Sequence, residues 1–188
     1  MPTHAYKARF LRKGTGTNDL EKTLKKAVAV LAGQGIASLV VGGYAVQESG
    51  YARYTKDIDL VVRDVEEARG YLSINGFKET TGASMTDNET GFAVLLLPAG
   101  GSVGPGPLKL PIPTEVTRTP KIADLRTLLQ MKLSSRIGRP VGRAKDAADV
   151  VELIKANDLP EDFKLDPAVS AAYQKLWTDL HNEKWSTS

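Results

Sequence analysis

Hydrophobic positions follow a mixture of strand and helix periods in the first part of the chain and a helical period in the last part. Leu20, Leu24, Ala27, Val28 and Leu31 recur at helical spacing, with Asn18 or Asp19 as N-cap and Gly33 or Gly35 as a left-handed C-cap. "IASLVV" is a short β-rich run ending in Gly42-Gly43. "YAVQESGY" reads as a short helix broken near Gly50, "KDIDLVV" as a second strand, and "VEEARGYLSING" as a helix stopped by Asn75-Gly76. "FKET" begins an extended stretch, and "GFAVLLL" is an apolar strand. "PAGGSVGPGPLKLPIP" holds too much Gly and Pro to be regular throughout. From Pro120 the period changes: Ile122, Leu125, Leu128, Leu129 and Leu133 share one helical face. A basic loop, "RIGRPVGRAK", leads to the helix "DAADVVELIKAND", and Asp166 and Pro167 open a last helix as N-cap and first residue. The pattern predicts an α+β fold, a small mixed α/β sheet flanked by helices with a helical C-terminal half. One domain is expected over 18–156, with 157–188 a helical extension packed on the same unit.

The length of 188 residues suits one good core and is short for two. The chain has no cysteine, which excludes a disulfide framework, a thiolate nucleophile and a Cys-based metal site. Its two histidines, His4 and His181, lie far from any motif, which argues against a Ser-His-Asp triad or a His-based metal site. "MPTHAYKARFLRKGTG" has no apolar h-region, and no apolar run approaches the roughly 20 residues that span a bilayer. The expectation is a cytoplasmic protein with no membrane partner. A net charge of +3 is compatible with nucleotide or nucleic-acid partners without requiring them.

The chemistry concentrates in "VVGGYAVQESGYARYTKDIDLVV", Val40 to Val62. Side chains on a strand alternate faces, so Asp57 and Asp59 point the same way, roughly 6–7 Å apart at the Cα. If the extended conformation begins early enough, Arg53 and Thr55 join that face. Two like charges so placed repel and raise one pKa, and a bound Mg²⁺, which favours one or two carboxylates plus phosphate oxygens, removes the conflict. Gly42-Gly43 after a strand lets backbone approach a ligand closely, and a helix beginning at about Tyr44 would aim free N–H groups at an anion.

In this order and spacing the chain resembles the nucleotidyltransferase superfamily, and within it the AbiEii/MenT-type bacterial group. That pattern is Gly-Gly or Gly-Ser, a helix, then an Arg/Thr-x-Asp-x-Asp strand, followed by a lysine on a helix and D-x-x-D on the next. Lys132 in "LLQMKLSSR" and Asp146 with Asp149 in "AKDAADVVELI" are similar to the later part. The resemblance implies catalytic Asp57, Asp59, Lys132 and Asp146, with Asp57 and Asp59 holding Mg²⁺ or Mn²⁺. It implies an NTP bound by Gly42, Gly43, Tyr44, Arg53, Thr55 and Lys132. It implies NMP transfer to an acceptor such as tRNA, in the toxin of a toxin–antitoxin pair whose partner is an antitoxin protein. Two alternatives stay open: a non-catalytic nucleotide-binding or interaction protein on the same fold, and a transferase acting on a small molecule such as an antibiotic. Asp146 is open to three roles, namely orienting Lys132, completing the metal site or acting as base. For Arg53 an ion pair with Glu48 competes with a phosphate contact. Arg136, Arg139, Arg143 and Lys145 form either an RNA- or phosphate-binding loop or a solvated one.

Two departures stand out. Many nucleotidyltransferases carry a third carboxylate on a later strand, and the matching positions here, Val94 and Leu95, are apolar. Asp87, Glu89 and Glu115 are the nearby acids that could substitute. Tyr44 stands where a phosphate-binding serine often sits.

Overall fold

Among residues 15–139 and 144–185, which the computed structural model describes, the elements mix strands and helices and then turn wholly helical. They run α1 (Thr15–Gly33), β1 (Ser38–Val41), α2 (Gly42–Glu48), β2 (Asp57–Val62), α3 (Val65–Ile74), β3 (Phe77–Glu79), β4 (Ser84–Asp87), β5 (Ala93–Pro98), α4 (Leu125–Gly138), α5 (Ala144–Asn157) and α6 (Pro167–Trp185). The expected α+β class is the observed one. The strands form one sheet in the order β1-β2-β5-β4-β3, with β2 and β5 parallel and the other pairs antiparallel.

Strand alternation sorts β2 between two environments. Ile58, Leu60 and Val62 face the back of the sheet, with Val94, Leu96, Met85 and Phe77, and bury against Leu20, Leu24, Ala27, Leu31, Ala68 and Leu72 of α1 and α3. Val61 faces the front, where Val41, Val103, Leu110 and Ala123 cover it. Asp57 and Asp59 share that front face, nearer the strand's start. A third cluster joins α4, α5 and α6 through Leu128, Leu129, Leu133, Val150, Leu153, Val169 and Tyr173. Ala45 and Val46 of α2 belong to it, so α2 links the sheet to the helical half. No described helix is long and apolar enough to cross a membrane.

Several expectations are corrected at element ends. Helix α1 starts at Thr15, so Asn18 and Asp19 lie inside it rather than at its N-cap. Its C-terminus uses Gly35, at φ 73°, with the Ile36 N–H bonded to the Leu31 carbonyl at 3.0 Å. Ile122 is not helical. It pairs with Val40 as an isolated parallel bridge, and α4 begins after Asp124, whose carboxylate accepts from the Thr127 N–H at 2.8 Å. The outer edge of β1 offers backbone partners that draw 121–123 out of the helix: Val40 N–H donates to Lys121 O and Ala123 N–H to Val40 O. Helix α2 starts at Gly42 rather than Tyr44. Strand β4, "SMTD", has a single apolar residue and no legible period of its own, yet it is paired on both sides. Asp166 does precede α6, accepting from the Ala168 N–H at 2.9 Å.

One charge is fully buried behind the sheet. Asp87, at the end of β4, takes Lys26 of α1 at 2.6 Å and accepts from Thr23 and Thr90 hydroxyls and the Glu89 N–H. Burial alone would raise its pKa, but Lys26, the Glu89 N–H and Thr90 outweigh it and hold the carboxyl below 3.8. The stabilisation this brings is present above pH 3.8 and is lost as pH falls through the lowered value. Lys26 also sits 4.7 Å from the Phe77 ring centroid. Lys26→Met would leave a buried carboxylate without its cation, and it should lower unfolding free energy by about 3 kcal/mol in urea titrations at neutral pH. Adding Asp87→Asn to that variant should recover part of the loss. Additive losses would mean that the two side chains do not act as a pair.

Candidate active site

The register Val41↔Asp59 places the turn after β1 directly beside the second acid of β2. Gly42 there has φ 65°, and a Cβ built on it would overlap the Asp59 carboxylate, with Cγ only 2.6 Å away. A Cβ on Gly43 would lie 2.5 Å from Thr55 Oγ1 and 2.9 Å from Arg53 Nη2. Both glycines are therefore required by close approach to the polar residues around them, not merely by a tight turn. Val41 precedes α2 without any side-chain cap, and the Gly43 N–H lies close enough to the Asp59 carboxylate to favour its charged form.

The expected polar face forms, although not as one strand. Pairing begins at Asp57, and 51–56 run in no regular element. Arg53 and Thr55 still converge on Gly43. Tyr54 turns away and is largely exposed, while Tyr44 packs its half-buried ring against the cluster behind the sheet.

Arg53 and Lys132 come together on Asp149. Arg53 Nε lies 2.8 Å from Asp149 Oδ1, and Nη2 donates to Oδ2 at 3.2 Å. Arg53 is thus paired with Asp149 of α5, not with Glu48. Lys132 Nζ, from α4, lies 2.8 Å from Asp146 Oδ1 and 2.8 Å from Asp149 Oδ2. Its side chain is only 13% exposed, so it is not a surface lysine reaching for water. Asp146 and Asp149 sit three apart on α5 and so share a helix face. That spacing was the available sign that Asp149, which no sequence argument gave a role, would join the cluster. Arg136 is half-buried, Arg139 and Lys145 are exposed, and Arg143 lies outside the described residues.

No further acid comes from the neighbouring strand. Ala93 and Leu95 of β5 stand beside Asp57 and Asp59 on the front face, and Val94 points to the back core. Asp87 is behind the sheet, Glu89 pairs with Lys22, and Glu115 with Lys121 at 2.7 Å. None of the three substitutes.

The pKa of Asp59 is raised above 3.8. Burial is the main cause and the Asp57 charge adds to it, while Lys132, the Gly43 N–H and Arg53 act the other way. Asp57 itself is exposed. Among the described residues no group of three or more His, Cys, Asp or Glu could hold a metal ion. Two adjacent carboxylates, one destabilised by the other, are nevertheless a donor set that fits a hard divalent cation completing its shell with phosphate and water. A raised pKa favours the protonated form, so its stabilisation is present below pH 3.8 and lost as pH rises through the folded value. Asp59→Asn should therefore raise the melting temperature at neutral pH without metal. The gain should shrink as pH falls, and Mg²⁺ should stabilise the wild type but not the variant. A variant no more stable at pH 7 than the wild type would contradict the electrostatic account.

No protein-family profile matches the chain, and no curated protein matches its sequence. Solved structures do match. The solution structure of the antibiotic-resistance factor ANT(2'')-Ia is 13% identical, with a TM-score of 0.50 over 89% of this chain and 96% of that one. The crystal structure of ANT(2'')-Ia in complex with adenylyl-2''-tobramycin is 15% identical, with a TM-score of 0.52 over 86% of this chain and 99% of that one. With its mixed five-stranded sheet and flanking helices, the chain shares the fold of these ANT(2'')-Ia structures.

Proposed function

We propose that the protein is a metal-dependent nucleotidyltransferase that moves NMP from an NTP to a hydroxyl-bearing acceptor. The observation that carries this reading is the juxtaposition of Asp57 and Asp59 with the Gly42-Gly43 turn, flanked by Arg53 and Lys132. Asp57 and Asp59 hold Mg²⁺ or Mn²⁺, which neutralises triphosphate charge when bound. Gly42 and Gly43 let the phosphates approach the backbone, and Thr55 lies against the same turn. Arg53 and Lys132 offset the negative charge of the phosphates at the transition state. The acceptor oxygen attacks the α-phosphorus and loses its proton, the bond from that phosphorus to the β-phosphate oxygen breaks, and pyrophosphate leaves. Of the roles open to Asp146, orienting Lys132 is the one its 2.8 Å contact supports.

Two acceptor classes are in play. The resemblance of the Val40–Val62 motif to AbiEii/MenT-type proteins supports tRNA and a toxin paired with an antitoxin protein. The fold likeness to ANT(2'')-Ia supports a small antibiotic acceptor instead. A second reading, a nucleotide-binding protein that no longer turns over, is favoured by Ala93 and Leu95 beside the two acids.

Incubation with Mg²⁺, each labelled NTP, and either total tRNA or an aminoglycoside separates these readings. Label is expected on one acceptor, and Asp57→Ala should reduce it by at least about 100-fold. NTP binding without label on any acceptor would sink the transferase reading and leave the binding protein.

A further inference from the structure

Asp149 is almost fully buried, 1% exposed, and touches both cations beside the turn. Its contacts arrive from different parts of the chain. Arg53 comes from the segment entering β2, Lys132 from α4, and Asp149 itself from α5. We propose that Asp149 is a positioning residue for nucleotide binding, a shared anchor that aims Arg53 and Lys132 together at the phosphates over Gly42-Gly43. The inference rests on the nucleotide-binding reading above.

The donor geometry is the argument. An arginine carries five N–H donors in a rigid plane. Nη2 donates to Asp149 Oδ2 at 3.2 Å, with Nε in charge contact 2.8 Å from Oδ1, and Nη1 donates to the Tyr54 carbonyl at 3.2 Å. The plane is thereby fixed with Nη2 turned to Gly43, 2.9 Å from where its Cβ would be. A lysine ammonium has three donors. Asp146 and Asp149 hold the Lys132 ammonium from two directions, each at 2.8 Å. Both cations lie near enough to Asp59 to stabilise its charged form. A charge so held is not lost to side-chain freedom when the triphosphate arrives, whereas a misplacement of about 1 Å in such a group costs on the order of 100-fold. Asp149 reaches no phosphate itself in this arrangement; it acts through the two side chains it fixes.

A purely structural tie between α5 and the sheet would predict a different outcome, and binding separates the two. Asp149→Asn keeps the shape and removes the charge. The probes are the four NTPs with Mg²⁺, measured by calorimetry at a temperature where circular dichroism shows the variant folded. The expected result is at least about tenfold weaker binding of the NTP the wild type prefers, with a further Lys132→Ala change adding little, because interacting residues are not additive. Wild-type affinity in Asp149→Asn overturns the inference, even if the melting temperature falls. Should that variant not fold, Arg53→Ala and Lys132→Ala supply the test in the native Asp149 background. A shared anchor predicts that their effects on affinity combine non-additively by more than about threefold, and independent effects overturn it. A wild type that binds none of the four NTPs defeats the nucleotide reading itself, and this inference with it.

Discussion

The carboxylate of Asp59 occupies the space that a side chain on Gly42 would fill, and the site is arranged around that contact. It demands glycine at the first residue of α2 and permits the positive φ found there. It sets the Gly43 N–H near the same carboxylate, where the N–H favours the charged form. It also brings β1 and β2 into the one register, Val41 opposite Asp59, that sets the turn beside the acid pair. A slip of one residue would send both acids to the apolar back of the sheet, where Ile58 and Leu60 now sit among leucines.

Charge explains why this contact is tolerable. Among the described residues, Asp57, Asp59, Asp146 and Asp149 gather around Arg53 and Lys132, and their charge is unevenly held. Asp146 and Asp149 face the two cations directly, while Asp59 is left with burial and the Asp57 charge raising its pKa. The sheet side, where burial and a neighbouring charge raise the Asp59 pKa, is the end at which a divalent cation would be stabilised. The contrast with Asp87 is instructive. Burial pushes that acid's pKa up too, yet Lys26, the Glu89 N–H and Thr90 outweigh it and hold the pKa down, and the acid ties α1 to the edge of the sheet.

Much of this was readable along the chain. The α+β class, Gly42-Gly43, the phase of Asp57 with Asp59, and Lys132 followed by Asp146 and Asp149 are local patterns, set by strand alternation and helix period. What failed was also local. Strand β4 has too little apolar content to announce itself, and it exists because β3 and β5 supply hydrogen-bond partners on either side. Ile122 continues the apolar phase of α4 but is drawn out to pair with Val40, since an open strand edge outbids one more helical turn.

The sequence by itself determined which residues could do chemistry and which strand face would carry the acids, since both follow from residue type and a period of two. It also determined that the strand "GFAVLLL" could bring no acid, whatever its pairing. Only the tertiary structure decided that β5 lies parallel beside β2, so that Ala93 and Leu95 stand where a third acid would have to be. It alone decided that Arg53 leaves Glu48 for an aspartate 96 residues away, and that Asp149 joins the two cations. The reason is physical. Periodicity orients a side chain relative to its own element, but a contact between elements depends on how helices pack on the sheet, and that is set by the burial of Ala45, Val46 and the leucines of α4 and α5 rather than by the charges themselves.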